Sequence, residues 1–246
     1  MTQEFCFFHP RDQKRSPVSS TWSSTSINEV VAAIQDAWAQ IETFDYWKSA
    51  KFQTGHYDDE DELTTKIAEI LNERLDNATT GIFRKEIFQT IVRDGKQSTA
   101  TLSSTEQMPD LSFRLTRTAP GEDREESALF VEAKLIDASS GCREYVVNGL
   151  HRFVAGLYAP QMNFGMMLGY CTPGFNDPTE QLKGYFSAAT SEAAKRCAAP
   201  VTIDAGGLLA TEHTRAAPAA RAFRALHVWV ERPAPKAPIE EPPSAT

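Results

Sequence analysis

The sequence predicts an α/β protein in which a mixed central sheet is flanked by helices. Apolar residues recur at helical spacing over residues 27–43 and 59–75, which indicates two amphipathic helices ahead of the first strand. Three extended segments then follow one another, over residues 86–92, 110–116 and 128–136. An extended segment, a helix and another extended segment complete the pattern up to residue 170, in the order of a parallel crossover unit.

The two N-terminal helices carry continuous apolar faces. Ser26 and Glu29 have the spacing of a capping box, in which each side chain accepts from the backbone amide of the other residue. The apolar side chains of this first helix are Ile27, Val30, Val31, Ile34, Trp38 and Ile41. The second helix has an apolar stripe of Leu63, Ile67, Ile70, Leu71 and Leu75 beside a charged stripe of Glu62, Lys66, Glu69 and Glu73. Each helix therefore needs a packing partner for its apolar face.

The three extended segments predict a small antiparallel meander. The first ends at the turn signal Asp94-Gly95, and a charged loop over residues 120–126 separates the second from the third. In the third segment the residues of one face, Leu129, Val131, Ala133 and Leu135, alternate with Phe130, Glu132, Lys134 and Ile136. A strand with this alternation presents Glu132 and Lys134 on the same face.

The C-terminal half predicts the crossover, a further helix and a last strand. These elements are a helix over residues 145–157 that stops near Pro160, a strand over 164–170, a helix from Asp177 toward Arg196, and a strand over 225–230. Proline ends the first of these helices because it cannot continue a helix interior. Pro178 begins the second because proline suits the first helical position.

Composition limits the class of protein. With 246 residues, of which 41% are hydrophobic, we expect a single domain over residues 26–231, a weakly ordered segment over 1–25 and a Pro-rich flexible tail over 232–246. The four cysteines form no C-x-x-C pair, which argues against a zinc ribbon or disulfide scaffold and favours a reducing, cytoplasmic location. No apolar run approaches the ~20 residues of a membrane span, so we expect no membrane partner.

Charge and missing motifs narrow the partners and the chemistry. The net charge is −8, whereas affinity for a phosphate backbone comes largely from Lys and Arg. A nucleic-acid enzyme with this charge needs clustered basic residues or a partner that contributes them. Four common site motifs are absent: G-x-x-x-x-G-K-[ST] of NTPases, G-x-G-x-x-G of dinucleotide enzymes, G-x-S-x-G of α/β-hydrolases and H-E-x-x-H of zincins. Their absence argues against these four enzyme classes.

Two short strings carry the chemistry of the chain. A Pro-Asp pair that ends at Asp110 heads the second extended segment, and Glu132 and Lys134 lie inside the third. The neighbours of the latter pair on their face, Phe130 and Ile136, are apolar, so the charges are costly unless a partner neutralises them. A metal ion and a phosphate would do so. Alternatively, Asp110 caps a turn, and the Glu–Lys pair lies on a solvated face with charges from neighbouring strands.

This order of helix, strands and acids resembles the PD-(D/E)XK superfamily of restriction-endonuclease-like nucleases, over roughly residues 58–171. The resemblance implies a restriction-endonuclease-like mixed central sheet flanked by helices. It implies that Asp110 and Glu132 hold Mg²⁺ or Mn²⁺, and that Lys134 acts as a catalytic base or an electrostatic stabiliser. The superfamily often adds an acid from the first core helix, for which Glu62 is the first choice and Glu69 the alternative.

The resemblance also suggests residues that contact the phosphate or substrate. Arg152 and His151 lie on the helix where the superfamily places a Gln, Lys or Arg near the metal, although both also fit a helix surface. His213 and Arg215 form an H-x-R string in an Ala-rich connection that we predict as a loop. They either contact a phosphate or dock on the site from that loop, or are ordinary loop residues.

The expected function is therefore a metal-dependent endonuclease that hydrolyses phosphodiester bonds of DNA, with RNA as the other substrate. The run over residues 156–170 resembles stand-alone nucleases of bacterial anti-phage loci, which implies the effector subunit of a defence complex with a helicase or ATPase partner. One alternative is a non-catalytic scaffold or partner-binding subunit with the same fold. Another is an inhibitor whose acidic face mimics nucleic acid.

Overall fold

The computed structural model describes residues 22–43, 60–94, 108–118, 127–137, 141–158, 160, 162–189, 191–199, 201–203, 208–215 and 222–232. The α-helices are α1 (Ser24–Thr43), α2 (Glu60–Asn77), α3 (His151–Val154), α4 (Pro178–Ser187) and α5 (Glu192–Cys197). A π-helical segment, Tyr145–Leu150, runs directly into α3. The strands are β1 (Val92–Arg93), β2 (Leu111–Arg114), β3 (Ala128–Ile136), β4 (Phe164–Cys171), β5 (Val201–Ile203), β6 (Leu209–Thr214) and β7 (Ala222–Glu231).

The strands of the described residues form one mixed sheet in the order β1-β2-β3-β4-β7-β6-β5. The three central strands, β3, β4 and β7, are parallel, and the pairs at both ends of the sheet are antiparallel. The centre is apolar on both faces, as parallel strands covered by helices require, and β4 is buried along its whole length. The class predicted from the sequence, a mixed sheet flanked by helices, is confirmed.

Helices cover both faces of the central strands. On one face α1 packs against α2 and β7, where Trp38 stacks on Tyr170 with ring centroids 5.5 Å apart. The Trp38 indole also donates to the carbonyl of Glu231 over 2.9 Å. On the other face the π-helical segment packs against β3 and β4, and α5 packs against that segment and α3. The crossover predicted between the third and fourth extended segments is confirmed, because this helical stretch connects the parallel strands β3 and β4.

Three predicted elements differ from the structure. The segment expected to be extended over 86–92 forms strand only at Val92–Arg93, with an isolated bridge at Phe88. Instead of a ladder, the Asn72 side chain of α2 pairs with both backbone groups of Ile91, at 2.8 and 3.1 Å. The single helix expected to run toward Arg196 is two helices, since Ser191 begins α5 as an N-cap. The predicted loop that contains His213 and Arg215 is largely strand β6.

The predicted terminal segments lie mostly outside the described residues, which exclude 1–21 and 233–246. Trp22 belongs to the folded part, because its ring is buried and its indole donates to the carbonyl of Ser127 over 3.1 Å. Among the described helices, none is both long and apolar enough to cross a bilayer.

Candidate active site

Sheet register brings the two predicted carboxylates together. Asp110 immediately precedes β2, and antiparallel pairing of Leu111 with Val131 places it beside the second half of β3. Its carboxylate Oδ2 accepts a hydrogen bond of 2.6 Å from the backbone amide of Ala133. Glu132, one residue earlier on β3, is fully buried. The two acids therefore approach the same stretch of one central strand from neighbouring strands.

Lys134 lies at the centre of this group. Its Nζ is 3.2 Å from Oε1 of Glu132, 4.0 Å from Oδ2 of Asp110 and 2.5 Å from Oε1 of Glu60. It also donates to the carbonyl of Ala133 over 2.6 Å. Only 13% of the Lys134 side chain is exposed, so these interactions occur in a partly desolvated environment where they are stronger than on the surface.

The acid of α2 that contacts Lys134 is Glu60, which differs from the predicted residue, Glu62. Glu60 is the first residue of α2, and its second oxygen accepts from the backbone amide of Leu135 over 2.9 Å. Glu62 lies two residues further along, about 200° around the helix from Glu60, and its role as an accessory acid stays a prediction. Glu69 is exposed and forms a salt bridge of 2.8 Å with Lys66. The sequence held a signal for Glu60, since it shares a helix face with the buried Thr64.

Arg152 joins the cluster as the resemblance implied. Its guanidinium is 3.0 Å from Oε1 of Glu132 and donates over 2.6 Å to the hydroxyl of Tyr158. That hydroxyl in turn donates to the carbonyl of Met108, two residues before Asp110. Tyr158 was missed from the sequence because nothing in the local pattern distinguishes it from a core aromatic residue.

His151 has Arg196 of α5 as its charged neighbour. It follows Leu150 and precedes Arg152 on the same helical stretch, where adjacent residues point about 100° apart. Burial and the positive charge of Arg196 on α5 both lower its pKa. The described electrostatic interaction of His151 is therefore with α5. This fits the alternative in which His151 is a residue on the helix surface.

His213 and Arg215 are buried structural residues in this arrangement. The Arg215 side chain is 1% exposed and donates to three backbone carbonyls, those of Phe153, Met162 and Tyr158. His213 is 6% exposed, and its Nε2 is 2.7 Å from the hydroxyl of Thr211. The predicted contact of these two side chains with a phosphate from an open loop does not fit this burial.

A short polar chain continues inward from His213. The Thr211 hydroxyl is also 2.9 Å from Nε2 of His227, and Nδ1 of His227 is 2.7 Å from the hydroxyl of Tyr145. Burial lowers the pKa of His213 to about 4 and that of His227 to about 3, with the nearby Arg215 and His213 respectively adding to the effect. Both imidazoles are therefore neutral at physiological pH.

Burial raises the pKa values of two carboxyl groups of the cluster, those of Glu132 and Asp110. Desolvation raises the pKa of Glu132 to about 7, and the charge of Asp110 adds to the effect, while Lys134 and Arg152 oppose it. Desolvation also raises the pKa of Asp110, against the charge of Lys134 and the amide of Ala133. For Lys134, burial alone would lower the pKa, but the surrounding carboxylates outweigh it and the pKa is raised. The ammonium is therefore protonated at neutral pH.

The donor set fits a hard divalent cation. Oε2 of Glu132 is buried and has no hydrogen-bond partner among the described residues, so one carboxylate oxygen is unsatisfied within this part of the chain. In the same part of the chain, the three carboxyl groups of Glu60, Asp110 and Glu132 outnumber the two cationic side chains that contact them, Lys134 and Arg152. Oxygen ligands and an excess of negative charge are what Mg²⁺ and Mn²⁺ prefer.

This site is not a preformed metal cage. Within the described ranges, no three His, Cys, Asp or Glu side chains form a ready metal-binding group. Mg²⁺ commonly keeps several waters and is held by one or two carboxylates together with a substrate phosphate. Asp110 and Glu132 match this arrangement, in which two carboxylates hold the ion together with water and a substrate phosphate.

The helical layer packs closely onto the charged residues. A Cβ at Gly149, in the π-helical segment, would lie 2.6 Å from Cε of Met167 and 3.2 Å from Cγ of Lys134. Glycine therefore lets this segment approach the side chains of β3. Single turns of π-helix inside α-helices are frequent at functional sites.

Comparison with models of protein families, with curated proteins and with solved structures finds no match to this chain. By fold and site geometry, the chain is an α/β protein with a partly buried carboxylate–lysine cluster at the central strand β3.

Proposed function

We propose that the chain is a metal-dependent nuclease with a restriction-endonuclease-like fold. The observation that carries the proposal is the convergence of two carboxylates, the partly buried Asp110 and the fully buried Glu132, within 4.0 Å of the Lys134 ammonium. Among the residues that the structure describes, one carboxylate oxygen of Glu132 has no hydrogen-bond partner. A buried group of this kind with raised carboxylate pKa values is typical of a functional site.

Asp110 and Glu132 are the residues that would hold Mg²⁺ or Mn²⁺. When bound, such an ion makes water easier to deprotonate and neutralises charge on a phosphate. Lys134 holds its proton at neutral pH because carboxylates surround it, so it is better suited to stabilise the developing negative charge and orient a water than to act as a base. This favours the electrostatic role among the two expected from the sequence.

Glu60 and Arg152 support these groups. Glu60 bridges the Lys134 ammonium and the amide of Leu135, and so fixes the lysine at the end of β3. The Arg152 side chain is 40% exposed while its guanidinium contacts Glu132, so it can also reach a phosphate oxygen of a substrate at the surface.

The proposed substrate is DNA, with RNA as the alternative, and the proposed setting is a bacterial anti-phage defence complex. The net charge of −8 supports a dependence on a partner, because an acidic chain repels a polyanion outside any local basic patch. A helicase or ATPase subunit would deliver the nucleic acid. We expect the isolated protein to cut slowly at physiological salt and faster at low salt.

Cleavage assays with three proteins test the proposal. Wild type, Lys134→Ala and Lys195→Ala are incubated with plasmid DNA, single-stranded DNA and RNA, each with Mg²⁺, Mn²⁺ or EDTA. Lys195 is the matched control, since it is 55% exposed on α5 and pairs only locally with Glu192 among the contacts of its helix. We expect metal-dependent cutting by wild type and K195A, and a loss of about 100-fold or more in K134A.

A complementary measurement identifies the scaffold alternative. Binding of an ion to the folded state alone raises the midpoint of thermal unfolding, Tm, by an amount that grows with the logarithm of the ion concentration relative to its Kd. A Mn²⁺ concentration of about 10 mM is sufficient to detect a weak site. If no nucleic acid is cut at low salt, and this concentration of Mn²⁺ leaves the Tm unchanged, the nuclease proposal is refuted. The carboxylate–lysine cluster would then be a structural ion-pair network of a non-catalytic subunit.

A further inference from the structure

We propose that Tyr158 and Arg215 are positioning residues of the candidate site, with the Tyr158 hydroxyl fixing Arg152 against Glu132 and Arg215 fixing the turn that carries Tyr158. The inference rests on the proposed nuclease function, because it assigns both residues to the same site. It also reverses the expectation for Arg215, which acts here through other side chains and not on a phosphate.

The Tyr158 hydroxyl connects the two segments that carry the carboxylates. It accepts from the Arg152 guanidinium over 2.6 Å and donates to the carbonyl of Met108 over 3.0 Å. Arg152 contacts Glu132, and Met108 lies two residues before Asp110. A hydroxyl has one proton to donate, so this pair of bonds commits that proton to Met108 and leaves a lone pair for Arg152.

The aromatic ring holds that hydroxyl in place. Tyr158 is 1% exposed, and its ring packs edge-to-face on Phe153 with centroids 5.5 Å apart. The Arg152 guanidinium lies over the Tyr158 ring at 5.5 Å, in addition to its hydrogen bond. Arg152 itself is 40% exposed and has a long, flexible side chain, so without the hydroxyl little would hold it beside Glu132.

Arg215 anchors the turn between α3 and β4. Its three donor nitrogens reach the carbonyls of Phe153 at 2.8 Å, Met162 at 2.8 Å and Tyr158 at 3.3 Å. These carbonyls mark the end of α3, the position of Tyr158 and the approach to β4. A single rigid, planar guanidinium therefore fixes three points of this turn relative to one another.

The cost of burying Arg215 indicates a specific role. The Arg215 side chain is 1% exposed, and a guanidinium cannot shed its proton to escape desolvation, so its surroundings have to compensate the charge. Carbonyl dipoles and the face of the Phe223 ring, whose centroid is 4.0 Å from Cζ of Arg215, help to compensate the charge. Apolar residues would fill the same volume at lower cost, whereas only a multiple donor can tie three carbonyls together.

The test is a comparison of Tyr158→Phe with Tyr145→Phe. Each change removes one buried hydroxyl and keeps the ring, and Tyr145 bonds His227 and not the carboxylates. We expect Y158F to lower kcat about tenfold and to raise the half-saturating Mn²⁺ concentration about tenfold, the lower end of the range found when residues that orient metal ligands are changed. Y145F should change both less than about twofold at temperatures where both variants are folded.

A double-mutant cycle shows whether Tyr158 acts through Arg152. If it does, adding Y158F to an Arg152→Ala protein causes no further loss, whereas independent effects would multiply. Arg215→Lys, which keeps the charge but cannot reach three carbonyls, should reproduce the Y158F phenotype. Multiplicative losses in the cycle, or Y158F activity equal to that of Y145F, would overturn the inference.

A third readout separates this inference from the nuclease proposal. Hydrogen exchange of the Arg152 guanidinium, followed by NMR, reports its immobilisation with or without any cleavage. We expect at least about tenfold faster exchange in Y158F than in wild type or Y145F, because a hydrogen-bonded, packed group exchanges only when it opens. Unchanged exchange refutes the positioning role. If the wild-type protein cuts no nucleic acid but exchange of the Arg152 guanidinium is faster in Y158F, only the nuclease proposal is refuted.

Discussion

Replacing Glu132 by glutamine should stabilise the protein at neutral and alkaline pH. Glu132 is fully buried on β3, and desolvation raises its pKa from 4.5 to about 7 in the folded state. Glutamine has nearly the same shape as the protonated acid, so E132Q resembles a Glu132 that never ionises. Lys134 and Arg152 remain beside it.

The size and sign of the effect follow from linkage. A group whose pKa is higher in the folded than in the unfolded state contributes stability at low pH that is lost as the pH rises through the folded pKa. A change from 4.5 to about 7 corresponds to about 3 kcal/mol, since one pH unit is about 1.4 kcal/mol. E132Q should therefore equal wild type below pH 4.5 and exceed its free energy of unfolding by about 3 kcal/mol above pH 7.

Urea unfolding of both proteins at pH 4.5, 6 and 8 measures this difference. Taking the difference cancels the other titrating groups, including the two buried histidines, which occur in both proteins. Glu192→Gln is the control, because Glu192 is 80% exposed and should show no comparable trend. A stability difference that does not grow between pH 4.5 and 8, or that favours wild type at pH 8, would contradict the assignment of a desolvated, basic carboxylate.

Two further predictions concern the acid on α2 and the buried histidines. Glu60→Gln should lower the rate of metal-dependent cleavage about tenfold, because Lys134 loses its nearest carboxylate. The cleavage rate of Glu62→Gln should stay within about twofold of the wild-type rate. Equal effects of the two changes would contradict the choice of Glu60. For His213, the pKa is about 4 in the folded state against 6.5 unfolded, so stability is lost as the pH falls through this range. His213→Gln should therefore gain up to about 3 kcal/mol relative to wild type between pH 6.5 and 4 in urea unfolding, and a constant difference would refute this.

The central part of the fold was predictable because its pattern has a simple period. The alternation around Glu132 placed the strand at residues 128–136, which are the bounds of β3, and identified Glu132 and Lys134 as neighbours on one face. The register with β2 then brought Asp110 to the same place, as expected for consecutive antiparallel strands. Local periodicity was sufficient here because these three residues lie on adjacent strands.

Other features depend on contacts that a local pattern does not contain. In β6 the inward residues include Thr211 and His213, which read as polar in a hydropathy pattern although they are buried and hydrogen-bonded to each other. The sequence pointed to Glu62 or Glu69, whereas Glu60 is the acid of α2 that contacts Lys134, because the rotational phase of α2 relative to β3 is set by packing. Arg215 contacts carbonyls more than 50 residues away, so its role as an anchor has no local signature.

The direction of the carboxylate pKa values bears on the choice between a nuclease and a scaffold. An ion-pair network that only holds a fold together stabilises its charged carboxylates and lowers their pKa values. In this cluster the pKa values of Asp110 and Glu132 are raised despite the nearby Lys134, so the ionised acids cost the folded protein free energy at neutral pH. A divalent cation between carboxylates would remove that cost, whereas neutral side chains would avoid it altogether in a scaffold. If the cluster binds a cation as proposed, wild type should gain more stability from Mg²⁺ at pH 8 than E132Q does, and equal gains would favour the scaffold.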